Sequence, residues 1–145
     1  FNLYGPGQRP NFVLPVFIND VVNGKPPVVY DDGTQTRCFT YIDDFIRGVI
    51  TASSTKAGEN EVFNLGSTRE TSIRDLANMV LDIADANIKP EYVDTFELYG
   101  DSYEDLEQRV PNVSKANEIL RWEAKTTLNS GIRRTLEWWR KYYSE

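Results

Sequence analysis

Histidine is absent from these 145 residues, and cysteine and methionine occur once each. Without histidine there can be no Ser-His or Cys-His nucleophile pair and no histidine metal site. A lone cysteine forms no internal disulfide, and a structural zinc site is excluded with it. The thiol count points to a reducing, cytoplasmic compartment. No run of Lys or Arg builds a basic patch, and a net charge of -6 argues against a general nucleic-acid binder. No apolar stretch approaches the roughly 18–20 residues of a membrane span, and no signal-peptide pattern opens the chain; neither nucleic acid nor membrane is an expected partner. Internal repeats, low-complexity segments and a second domain boundary are also missing. The chemistry therefore falls to Arg, Lys, carboxylates and hydroxyls, or to groups outside the chain.

What is present suits a folded domain. An apolar fraction of 40% with 12% aromatics separates the chain from disordered sequences, and 145 residues can bury a sizeable core. The most informative stretch runs from Val28 to Asp44. Val28 to Tyr30 suit a strand, Asp31-Asp32-Gly33 supplies a turn, and Gln35 to Tyr41 alternates as a second strand. That alternation puts Arg37, Phe39 and Tyr41 on one face and Cys38 and Thr40 on the other. Asp43 and Asp44 sit where a helix N-cap is wanted, before Phe45, Ile46, Val49 and Ile50 at helical spacing. Arg37 is thus held on a rigid strand among aromatics. There its planar fork suits phosphate oxygens, although a solvated strand face would also carry an arginine.

Elsewhere the pattern alternates between helices and short strands. Phe12 to Val22 reads as an amphipathic helix ending at Gly24, with Pro15 in its first turn. Ser53 to Gly58 reads as a polar loop, Glu61 to Leu65 as a short strand, and Thr71-Ser72 with Asp75 as a capping box opening a helix. Lys89 to Val93 predicts a strand, and Asp94 to Glu107 an irregular acidic loop. Ser114 caps a short helix followed by Trp122. Thr127 or Asn129 starts the last helix, striped by Ile132, Leu136 and Trp139. The expected fold is α/β: a small mixed sheet of short strands with about five helices.

Four segments carry a resemblance. Gly-Thr-Gln-Thr-Arg-Cys-Phe-Thr-Tyr-Ile-Asp-Asp (33–44) resembles a signature of the extended short-chain dehydrogenase/reductases, the NAD-dependent nucleotide-sugar epimerases, dehydratases and decarboxylases. Phe1-Asn2-Leu3-Tyr4-Gly5-Pro6-Gly7, Phe63-Asn64-Leu65-Gly66 and Arg109-Val110-Pro111-Asn112-Val113-Ser114-Lys115-Ala116 lie in that family's order. The resemblance covers nearly the whole chain and implies that residues 1–145 are the nucleotide-sugar (substrate) binding domain, the C-terminal portion of a larger Rossmann-type enzyme. Phe1, which opens without methionine or a polar lead-in, fits that expectation.

The resemblance also implies a substrate site for a UDP- or dTDP-sugar. Asn2, Arg37 and Arg109 would contact the diphosphate, with a turn role for Asn2 and a surface salt bridge for Arg109 as the plainer readings. Tyr30 would stack on the base, an edge-strand place in the core being its plainer reading, and Leu14 and Phe17 would line the base pocket, core packing being the simpler role for both. The family's hydride chemistry needs NAD on a glycine-rich turn and a tyrosine base four residues before a lysine. This chain has neither, so NAD would bind an N-terminal part that the sequence does not contain, which would also carry the homodimer contacts. No catalytic, cofactor or metal-binding residue is expected here, and whether the chain alone is an enzyme stays open. The acidic segment before Arg109 resembles decarboxylases and epimerases more than dTDP-glucose 4,6-dehydratases. A dehydratase portion and a non-catalytic binding module remain the alternatives. The surface meeting the rest of such an enzyme should be unusually apolar.

Overall fold

A computed structural model describes residues 2–99 and 106–143. Among these are six α-helices and six short strands. The strands form three pairs: β1 (Leu3–Tyr4) runs parallel to β4 (Thr40–Tyr41), β2 (Val28–Tyr30) runs parallel to β6 (Glu91–Val93), and β3 (Thr36–Cys38) runs antiparallel to β5 (Glu70–Ser72). The pairing is mixed and every strand is short, as the sequence implied. Glu70–Ser72 is a strand that the sequence pattern did not announce.

Three helices build the core. Leu14, Phe17, Ile18 and Val21 of α1 (Val13–Val22) recur at the i, i+3, i+4, i+7 spacing of one helix face and are buried. They meet Leu76, Ala77, Val80 and Leu81 of α3 (Ile73–Ala84) and Ile132, Leu136 and Trp139 of α6 (Leu128–Tyr143). Each such large side chain stabilises the fold by about 1.5–3 kcal/mol through removal from water. Local signals set the helix starts: Ser72 Oγ accepts the Asp75 N–H at 3.0 Å, and Thr127 Oγ1 accepts that of Ser130 at 3.3 Å. The turn after β2 needs Gly33, whose φ is +68° and where a Cβ would lie 2.5 Å from Val29 Cγ1.

Helix α2 (Ile42–Ser54) departs from the expected pattern. Its N-cap is Tyr41, without a side-chain cap bond, and Asp43 and Asp44 lie in the first turn instead. There they face the positive end of the helix dipole. Asp43 pairs with Arg134 of α6 at 2.7 Å. The helix buries Asp44 and Gly48 and turns Ile46, Val49 and Ile50 outward, at 46%, 46% and 59% exposure. Gly48 permits the close approach, since a Cβ there would stand 2.8 Å from Leu65 and 2.9 Å from Trp122 Nε1. Around it a second cluster joins Ala116 and Leu120 of α5 (Ser114–Leu120) to Trp122, with Phe63 and Leu65 packed against it.

Two other expectations need correction. Glu61 to Leu65 is not a strand: among the described residues no neighbouring strand pairs with it, and Val62 is 82% exposed. A β-patterned segment becomes a strand only where another strand supplies its hydrogen bonds. Gln35 to Tyr41 is not one strand: β3 ends at Cys38 and pairs with β5, β4 resumes at Thr40 and pairs with β1, and Arg37, Cys38, Phe39, Thr40 and Tyr41 are all buried. Within the acidic stretch Asp94 to Glu107, Thr95–Tyr99 forms a short helix, α4; residues 100–105 lie outside the described residues. Among the described residues no helix is long and apolar enough to cross a membrane.

Candidate functional site

A cleft of about 740 Å³ opens between the start of α1, the β2 and β3 strands and the segment that precedes α5. Its volume lies in the range of small-molecule sites. Asn2, Phe17, Tyr30, Arg37 and Arg109 all line it, so residues spread over most of the chain are brought to one place. Leu14 is the exception. It is 1% exposed, belongs to the helical core and lines a separate pocket of about 380 Å³ beside the cleft, along with Gln8, Phe12 and Phe39.

Each side chain is placed by a different element. Asn2 precedes β1, and its Nδ2 donates to the Cys38 carbonyl at 3.2 Å, fixing it across the end of β3. Tyr30 ends β2, and Phe17 lies on the cleft side of α1. Arg37 sits in the middle of β3, 7% exposed, and its Nη1 donates to the carbonyl oxygens of Thr36 at 2.7 Å and Leu106 at 2.6 Å. The guanidinium is therefore partly a structural tie: one nitrogen holds the segment that leads to Arg109. Arg109 itself is exposed and has no hydrogen-bonded or ion-paired partner among the described residues. Its fork remains available to an anion.

Three polar residues in the cleft escaped the sequence reading, Asn11 just before α1 being the first. Asp20 lies three residues after Phe17 on the same face of α1, and Gln35 leads into β3. Burial pushes the Asp20 carboxyl above the usual carboxylate range, against the opposing pull of its Asn19 hydrogen bond and Lys25. The signal for Asp20 was a carboxylate placed on an otherwise apolar helix stripe. The cleft thus combines two arginines (Arg37 and Arg109), a flat ring at Tyr30 and an acceptor at Asp20. Such a set can grip an elongated ligand with an anionic middle and an aromatic, hydrogen-bonding end. No group of His, Cys, Asp or Glu among the described residues could hold a metal ion.

Comparison with known proteins agrees in both sequence and shape. Residues 1–66 match the sequence profile of the NAD dependent epimerase/dehydratase family. The UDP-N-acetyl-alpha-D-glucosaminuronate decarboxylase of Bacillus cytotoxicus is 32% identical over 144 residues, which are 97% of this chain and 44% of that protein. The crystal structure of UDP-glucose 4-epimerase from Thermotoga maritima with UDP-glucose superposes at a TM-score of 0.87 with 30% identity, covering 99% of this chain and 45% of that one. UDP-glucuronic acid 4-epimerase from Bacillus cereus, in complex with UDP-glucuronic acid and NAD, gives 0.86 and 31%, covering 99% and 44%. Over nearly its whole length the chain is therefore similar to members of the NAD dependent epimerase/dehydratase family, and it spans less than half the length of these relatives.

Proposed function

We propose that residues 1–145 form the substrate-binding domain of an NAD-dependent nucleotide-sugar epimerase or decarboxylase and hold a UDP- or dTDP-sugar by its diphosphate. The observation that carries this reading is the cleft that gathers Asn2, Phe17, Tyr30, Arg37 and Arg109 from separate elements. In it, Arg109 grips phosphate oxygens through a fork suited to bidentate contact. Arg37 supplies a second positive charge and holds the Arg109 segment through the Leu106 carbonyl. Asn2 orients the same group, and Tyr30 offers its ring to the base. Phe17 forms the wall behind it, and Leu14 supports that wall from the core. The Bacillus cereus and Thermotoga maritima structures carry UDP-sugars, which favours this ligand class.

NAD does not fit the residues present. The chain offers no glycine-rich turn between strand and helix for the pyrophosphate of the cofactor, so no redox step is assigned to it. In the proposed enzyme that chemistry, the tyrosine base and the homodimer contacts belong to a separate dinucleotide-binding portion. In this reading such a portion docks on the outward Ile46, Val49 and Ile50 of α2. The buried single thiol suits a cytoplasmic setting.

An NMR titration with UDP, dTDP and NAD tests the reading. Saturable shifts at Asn2, Tyr30 and Arg109 with a nucleoside diphosphate, absent with NAD and weakened in Arg109→Ala, are expected. Arg109→Ala is a cleaner control than Arg37→Ala, because the latter also breaks the Leu106 tie. No shift at the cleft with UDP or dTDP, in this chain or joined to a dinucleotide-binding portion, would overturn it.

A further inference from the structure

The residues just before Arg109 are fastened to the edge of β3 by a set of bonds that the cleft itself does not require. Arg37 Nη1 donates to the Leu106 carbonyl, and the Thr36 N–H donates to the Glu107 carbonyl at 2.8 Å. Gln108 Nε2 donates to both carboxylate oxygens of Glu70, at 2.8 and 2.9 Å. Thr36 Oγ1 donates to the same carboxylate at 2.6 Å. Glu70 opens β5, whose antiparallel register with β3 sets Glu70 opposite Cys38 and Ser72 opposite Thr36. One carboxylate thus joins the β3–β5 pair to the passing segment. Downstream, Pro111 is buried and the Asn112 carbonyl accepts from Asn64 Nδ2 at 3.1 Å. Arg109 lies between two anchors, and its position follows from theirs.

We propose that Glu70 is a positioning residue for Arg109: by holding Gln108 against the β3 edge, it sets the backbone that carries the arginine into the cleft. This rests on the reading of the cleft as a nucleoside-diphosphate site. Glu70 and Gln108 are both exposed, so their bonds add nothing to the core. Their effect is on geometry. An arginine with many rotamers grips an anion well only if its backbone is already fixed, since otherwise binding must supply the ordering entropy. Charge-assisted bonds from an amide and a hydroxyl to one carboxylate provide that fixing without using the arginine's own donors.

UDP affinity measured calorimetrically on a set of variants tests the proposal. Arg109→Ala is expected to weaken UDP binding by roughly tenfold or more, the scale of one charged hydrogen-bonded contact. Glu70→Ala should weaken it roughly three- to tenfold, with no further loss when Arg109→Ala is already present, because coupled residues are non-additive. Gln108→Glu, which sets two carboxylates against each other, should weaken binding like Glu70→Ala. The paired exchange Glu70→Gln with Gln108→Glu restores a donor-acceptor pair and should recover affinity to within about twofold. The exchange also answers the case in which Glu70→Ala fails to fold. If Arg109→Ala weakens UDP binding while Glu70→Ala has no effect, the positioning role is overturned and the cleft reading stands. Equal losses from Glu70→Ala with and without Arg109 also overturn the role. If Arg109→Ala changes nothing, the cleft reading falls and the positioning role falls with it.

Discussion

Asp44 accepts the backbone N–H of Thr126 through Oδ2 at 2.7 Å, across 82 positions of sequence. The same residue's carbonyl accepts Trp122 Nε1 at 2.9 Å, and Arg47 pairs with its other carboxylate oxygen at 2.7 Å. One buried aspartate in the first turn of α2 thereby fixes the connection between α5 and α6.

Asp44 predicts an acid-sensitive component of stability. Burial pushes its carboxyl upward, but hydrogen bonds from Thr126, Arg47 and Lys125 together outweigh that and hold it below the usual carboxylate range. A depressed folded-state value means the contribution is fully present above the unfolded carboxylate's pKa. It is lost as pH falls through the folded value. Asp44→Asn should cost about 1–3 kcal/mol at neutral pH, because the donors around it lose a charged acceptor. Denaturant midpoints taken from pH 7 downward should show the gap between the two proteins closing at acid pH. A gap independent of pH would contradict the assignment.

Leu14 separates packing from binding. Leu14→Ala should lower stability by about 2–5 kcal/mol, the range for a leucine removed from a packed core. UDP affinity should stay within twofold of wild type at a temperature where both are folded, because Leu14 does not line the cleft. A selective loss of nucleotide binding, with unchanged unfolding, would return Leu14 to the base pocket.

The outward face of α2 predicts a substitution that is silent in one context and damaging in another. Ile50→Glu should shift the unfolding free energy of this chain by no more than about 0.5 kcal/mol, as surface changes do. It should prevent association with a dinucleotide-binding portion of the family supplied separately, read by co-elution in size-exclusion chromatography. Unimpaired co-elution of the variant would remove α2 from the docking surface.

Gly131 lets α6 approach Tyr4 of β1 closely. A Cβ there would lie 1.9 Å from the Tyr4 hydroxyl and 2.7 Å from its Cζ, and Tyr4 is 3% exposed. Gly131→Ala should destabilise by about 1–3 kcal/mol through overpacking, despite the better helix propensity of alanine. Adding Tyr4→Phe, which removes the nearest atom, should recover part of that loss in thermal unfolding. A neutral or stabilising Gly131→Ala would mean that β1 shifts freely against α6.

Much of this protein was decided by sequence alone. The core stripes of α1, α3 and α6, the Ser72 and Thr127 caps and the Gly33 turn are local features. Each depends on residues within a turn or two of one another, where periodicity and side-chain reach are enough. The motif segments likewise pointed to the family before any coordinate was known. Tertiary structure decided the rest, because it depends on which distant groups meet. Asp44 became a buried anchor rather than a cap since Thr126 and Trp122 arrive there. Among the described residues Glu61 to Leu65 stayed unpaired, and Arg37 became partly a tie to Leu106. Glu70 met Gln108 across 38 positions. A carboxylate's partner, a strand's neighbour and an arginine's acceptors are set by long-range contact, and no spacing along the chain encodes them.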